Sequence, residues 1–133
     1  MTYKVGYSKY RAKRTEFNGR TYDSKFEAGV AEMLEMRKRA GEIKDYETQF
    51  QIECIPYDCA GNPLPELKVR HKIDFRVHEL DGSYTLVEAK GAETADWKRR
   101  RKWLEYLWLP YHPDHVYRVV KDAGKGRGLR WST

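Results

Sequence analysis

The sequence has little cysteine: two residues, Cys54 and Cys59, in a chain of 133. Two thiols cannot build a disulfide framework, and their scarcity fits a reducing cytoplasm. They also lack paired ligands at zinc spacing, and His71, His78, His112 and His115 do not complete a recognisable set, which argues against a structural zinc site. Long apolar runs are missing too. Nothing approaches the roughly 18 consecutive apolar residues of a membrane span. The opening Met1-Thr2-Tyr3-Lys4-Val5-Gly6 lacks the apolar stretch of a secretory signal. A soluble, cytoplasmic protein without membrane contact is expected. No phosphate-cradling glycine loop is present either: Gly124-Lys125-Gly126-Arg127-Gly128 lacks strand–helix context, and reads as a flexible basic tail. With no repeat, low-complexity tract or linker, the length fits one domain. The expected division is a basic arm over residues 1–20, a folded domain over 21–122 and a basic tail over 123–133.

Charge is plentiful and unevenly placed. The net +6 arises from +5 over residues 1–20, −6 over 21–97 and +7 over 98–133. Two basic ends would draw a polyanion such as DNA or RNA, although basic termini also serve simply as solubilising tails. The acidic middle repels phosphate unless a cation intervenes. In the arm, Lys9, Arg11, Lys13 and Arg14 interleave with Tyr3, Tyr7 and Tyr10, a pattern able to order on a bound partner.

Phe26, Val30, Met33 and Leu34 form one apolar stripe, which predicts a helix over 24–40, capped by Ser24 and ended by Gly41. A strand is expected over 43–55, with Phe50, Ile52 and Cys54 on one face. In a strand over 69–78, Ile73, Phe75 and Val77 should face one way and Lys72, Asp74 and Arg76 the other. A further strand follows at 84–90. The chain continues with a helix over 94–108, whose apolar face is Trp103, Leu104, Leu107 and Trp108, and a last strand over 115–120. This order gives an α/β fold with a small mixed sheet flanked by helices.

Leu80-Asp81-Gly82 fits a three-residue hairpin loop with Gly82 in the left-handed region. Glu79 then pairs with Ser83, and Asp74 comes opposite Glu88 on one face, with Cβ atoms roughly 5 Å apart. A two-residue loop would place Ala89 there instead. Lys90 lies about 7 Å farther along that face. Adjacent carboxylates repel, and Mg²⁺ is a hard cation that accepts one or two of them while keeping waters for phosphate chemistry. The Ala89 carbonyl can supply a further oxygen. Lys90 can orient an attacking water or offset charge in the transition state. The plain alternative is an exposed Glu88–Lys90 ion-paired face. Glu27 has two readings as well: the return half of a capping box with Ser24, or a third acid on the flank of the helical stripe.

Glu27, Asp74 within His71-Lys72-Ile73-Asp74-Phe75, and Glu88-Ala89-Lys90-Gly91 resemble the pattern of the PD-(D/E)XK nuclease superfamily. The fuller run resembles a family of small phage-encoded nucleases. It comprises Lys9-Tyr10-Arg11-Ala12-Lys13, the segment from Phe17 through Ala28, Gly41-Glu42-Ile43, and Val87 through Gly91 followed by Thr94 and a Lys/Arg-rich helix. The likeness spans most of residues 9–120, and Ile73 stands where the superfamily pattern has proline. It implies a restriction-endonuclease-like core, with metal ligands at Asp74 and Glu88, metal or water contact at Glu27 and a catalytic lysine at Lys90. The superfamily includes phage and archaeal Holliday-junction resolvases of similar length that act as homodimers. The expected activity is therefore Mg²⁺- or Mn²⁺-dependent cleavage of four-way DNA junctions by a homodimer, in a phage-infected bacterial cytoplasm. Cleavage of linear or other branched DNA, or DNA binding without catalysis, are the alternatives.

On the basic helix, Lys98, Arg101 and Lys102 should point away from the apolar face toward phosphate or solvent. Arg100 lies three, four and seven residues before Trp103, Leu104 and Leu107, on the packing face. There it needs an anion, from the acid site or from substrate. Gln49 or Gln51 can orient water or simply line a strand's exposed face. The arm's tyrosines can stack on bases at a branch point.

Overall fold

The computed structural model describes residues 14–22, 24–122 and 129–131. Its first element comes from a turn dipeptide. Asn18 (φ 54°) and Gly19 (φ 80°) both hold left-handed backbone, which a tight turn between twisted antiparallel strands requires and Asn-Gly supplies at low cost. Strands β1 (Thr15–Phe17) and β2 (Arg20–Tyr22) pair across it. The end of the segment expected to be an arm is thus a hairpin. Of the cations expected to bind DNA from that arm, Lys9, Arg11 and Lys13 lie outside the described residues, and Arg14 is exposed just ahead of β1.

Helix α1 (Lys25–Arg39) starts and stops where its sequence signals stand. The Glu27 N–H donates to Ser24 Oγ at 3.0 Å. At the other end Gly41 (φ 76°) donates its N–H to the Lys38 carbonyl at 3.0 Å, and Glu42 donates to Arg37 at 2.9 Å. These bonds satisfy last-turn carbonyls that the helix leaves open.

Five strands form one sheet: β3 (Asp45–Cys54), β4 (Val69–His78), β5 (Tyr84–Lys90), β6 (His115–Asp122) and β7 (Leu129–Trp131), side by side in that order. The β5–β6 pair is parallel and the others are antiparallel, so the fold is mixed α/β. Residues 129–131, read from sequence as part of a basic tail, pair with the end of β6.

Helix α2 (Ala95–Trp103) joins β5 to β6. Thr94 caps it, its Oγ1 accepting from the Trp97 N–H at 3.1 Å. The expected helix over 94–108 is cut short: Leu104–Trp108 widens into a π-type turn and Leu109–Tyr111 tightens into a 3₁₀ turn around Pro110. The wider turn aligns residues four apart. Leu104 and Trp108 thereby both reach the sheet, while Leu107 turns outward at 42% exposure. Trp97, absent from the expected apolar face, is the buried tryptophan of α2.

The sheet carries a core on each face. On one side Val30, Ala31 and Leu34 of α1 pack with Phe75, Val77, Val87 and Val120. On the other, Leu104 packs with Ile52, Cys54, Ile73 and Leu86. Ile73 and Phe75, two residues apart, thus lie in different cores, contrary to the alternation expected for β4. The break falls on one rung. Thr48 pairs with Phe75 and Phe50 with Ile73, and the intervening Gln49 holds φ 57°, a strained value for a side chain without a glycine's freedom. Both strands turn over there, and Asp74 is the residue at the pivot. No helix among the described residues is long and apolar enough to cross a membrane.

Candidate functional site

The hairpin between β4 and β5 has the expected loop. Glu79 donates its N–H to the Ser83 carbonyl at 2.9 Å, Gly82 donates to Glu79 at 3.1 Å, and Gly82 sits at φ 91°. The register follows, with Phe75 opposite Val87 and His78 opposite Tyr84. Asp74 is therefore the next residue along β4, and Glu88 the next along β5.

The pivot at Asp74 changes where its carboxylate goes. It does not stand beside Glu88 on one regular face. Instead Oδ2 reaches into the seam between β4 and β5 and accepts the Ala89 N–H at 2.9 Å. Burial pushes its carboxyl from the usual 3.8 up to about 8. The charge of Glu27 adds to that rise and the charge of Glu88 adds less, while the Ala89 N–H and Lys90 oppose it. Glu27, in the first turn of α1, is 8% exposed, so the capping position and an inward carboxylate occur in the same residue. Three acids and Lys90 act on one another around this seam.

Glu88 is 5% exposed, which removes the reading of Glu88 and Lys90 as a solvent-facing ion pair. Its carboxylate is gripped asymmetrically. Oε1 meets His71 Nε2 at 2.9 Å, the Tyr117 hydroxyl at 2.5 Å and Trp97 Nε1 at 3.4 Å. Among the described residues Oε2 has only the shared Trp97 N–H, also at 3.4 Å. The second oxygen thus keeps its lone pairs for another electrophile. Burial, followed by the adjacent Glu88 charge, holds the Tyr117 phenol far above its usual range, so it remains a donor. With Nε2 bonded to Glu88, the buried Nδ1 of His71 has no hydrogen-bond partner among the described residues. Lys90 is partly buried, its ammonium 5.2 Å from the centre of the Trp97 ring.

Sequence reasoning missed His71, Trp97 and Tyr117. Alternation with Ile73 marks His71 as an inward residue of β4, and the Thr94 cap marks the start of the helix that carries Trp97. Tyr117 left no such signal, because the parallel β5–β6 register has no turn to fix it. The expected basic contacts divide differently. Lys98 and Lys102 are exposed as anticipated. Arg101 is not free: its guanidinium lies 5.5 Å from the Trp97 ring and 5.6 Å from the Tyr117 ring, and Nε is 3.7 Å from Glu105. Arg100 is exposed rather than on the packing face, paired with Asp96 at 3.1 Å. Ending the regular helix at Trp103 removes the periodicity that placed it inward.

No three His, Cys, Asp or Glu side chains among the described residues are arranged to hold a metal ion by themselves. A hard divalent cation asks for less: one or two carboxylates, with carbonyl and water oxygens completing the shell. Asp74 and Oε2 of Glu88 have that chemistry, and crowded acids gain from a cation between them.

A two-faced mixed α/β domain with a seam of buried acids is the class that the fold and site define. Within that class, the chain belongs to the DUF1064 family, described as proteins of unknown function, whose family model matches residues 7–129. No curated protein and no solved structure matches the chain.

Proposed function

We propose that the protein is a metal-dependent endodeoxyribonuclease with a restriction-endonuclease-like core of the PD-(D/E)XK kind, cutting branched DNA, foremost four-way junctions, as a homodimer. The observation that carries this reading is the convergence of Asp74, Glu88, Glu27 and Lys90 on one seam, with Asp74 held protonated near neutral pH until something positive arrives. Asp74, Glu88 and the Ala89 carbonyl would hold Mg²⁺ or Mn²⁺, which would supply positive charge for binding phosphate and for acidifying a water. Glu27, on the α1 side of the site, would help position the attacking water. Lys90, kept close by the Trp97 ring, offsets negative charge developing on the phosphate. His71, Tyr117 and Trp97 hold the Glu88 carboxylate in one orientation. A homodimer answers the need for two cuts in resolving one junction.

The test is incubation of the protein with labelled four-way junction, flap and linear duplex, each with Mg²⁺ or EDTA. Junction cleavage that requires Mg²⁺ and falls by about 10²–10³-fold in Lys90→Ala is expected. Equal cutting of linear duplex discards the junction preference. Binding with no product in any lane favours a DNA-binding module instead.

A further inference from the structure

A second feature is built from β4 and α2, two elements that also carry residues around the acid seam. A groove of about 670 Å³ runs between the lead-in to β4 and helix α2. One wall carries Lys68, Arg70 and Lys72, and the other carries Arg99, Arg100 and Trp103. The row on β4 has a simple origin: Val69, His71 and Ile73 turn into the protein, so the alternate residues turn out. Alternate strand positions repeat about every 6.6–6.8 Å, close to the spacing of successive phosphates in an extended nucleic-acid strand.

The groove and the site share two elements. His71, which holds Glu88, alternates on β4 with the outward Arg70 and Lys72, and Trp97, which also holds Glu88, follows Asp96 on α2. Its ion pairs leave cations in excess. Glu53 is shared by Arg70 at 3.1 Å and Lys68 at 3.6 Å, and Asp96 by Arg99 at 2.9 Å and Arg100 at 3.1 Å. Each carboxylate therefore meets two cations, and Lys72 has no ion pair among the described residues. Exposed pairs of this sort are weak and exchange readily for phosphate.

We infer that this groove holds the sugar–phosphate backbone of one single strand of the nucleic acid whose scissile phosphate lies at Asp74 and Glu88. This rests on the nuclease reading and adds the path and form of the substrate. The groove has the capacity of a small-molecule site, matching a couple of nucleotides of one strand. Trp103 supplies an aromatic wall of the kind on which unpaired bases stack. A branched substrate offers such a strand where its arms part.

The test is fluorescence anisotropy in EDTA, which separates binding from any cutting. The probes are a labelled single-stranded oligonucleotide and the matching duplex, across a salt series. The double variant R70E/K72E changes two exposed side chains, and K25E/K44E makes the same charge change outside the groove; circular dichroism checks that both fold. The groove variant should bind the single strand at least 10-fold more weakly, with a salt slope shallower by about 1.4, while duplex binding moves less than 3-fold. The control pair should leave single-strand binding within 3-fold. Equal loss in both variants, equal loss for duplex and single strand, or competition by polyglutamate as effective as by oligonucleotide would each overturn the inference. A wild-type protein that binds through the groove but cuts nothing with Mg²⁺ overturns the nuclease reading alone.

Discussion

Replacing Asp74 with Asn tests the electrostatics of the seam without any assay of activity. The amide oxygen can still accept the Ala89 N–H, now 2.9 Å from Oδ2, but the charge is gone. Asp74 titrates at about 8 in the fold against 3.8 in a free side chain. Between those values the folded chain holds a proton that the unfolded chain has released. Stability therefore falls as pH rises from about 4 to 8, and this contribution is flat above that window. The full shift corresponds to at most about 6 kcal/mol. Water reaching a partly open carboxylate lowers it, and D74N should exceed the wild type by about 1–3 kcal/mol at pH 8 in EDTA. Urea unfolding at pH 5, 6, 7 and 8 reads the effect directly, and the two proteins should converge toward the acid end. Millimolar Mg²⁺ should then stabilise the wild type and leave the variant unchanged, because a ligand stabilises only the state that binds it. A variant no more stable than wild type at pH 8, or one with a parallel pH profile, refutes the claim that burial and the neighbouring acids keep Asp74 protonated until a cation arrives.

Tyr117→Phe removes the 2.5 Å bond to Glu88 Oε1 and leaves the ring in place; a stability loss of about 1–3 kcal/mol is expected. Calorimetric titration should also show weaker Mg²⁺ binding, and unchanged Mg²⁺ affinity would mean that the carboxylate needs no such grip. At Gln49, with its φ of 57°, Gly should lie within about 1 kcal/mol of wild type, since relief of strain and loss of chain stiffness nearly cancel. Gln49→Val should be the less stable variant by at least about 1 kcal/mol in urea melts, because a β-branched side chain tolerates left-handed backbone poorly. Equal stability of the two would remove the pivot.

Local chemistry was legible in the chain. Ser24 and Gly41 marked the ends of α1, Gly82 fixed the hairpin loop, and that loop fixed the pairing that brings Asp74 beside Glu88 in sequence register. These are short-range effects, set by backbone preferences and a two-residue side-chain period. The Asn18-Gly19 hairpin carried an equally local signal, although the basic charge around it suggested an arm. Which side chains surround each acid was a different matter. The pivot at Asp74 and Gln49 requires two strands to turn over together. The grip on Glu88 joins His71, Trp97 and Tyr117 from three elements, and the early end of α2 depends on fitting Leu104 and Trp108 against the sheet. Those outcomes follow from long-range packing and from charges forced close together, which neither spacing nor periodicity along one segment encodes. The sequence thus determined most of the elements and the candidate residues; only the tertiary structure decided which oxygen of Glu88 stays open and why Asp74 keeps its proton.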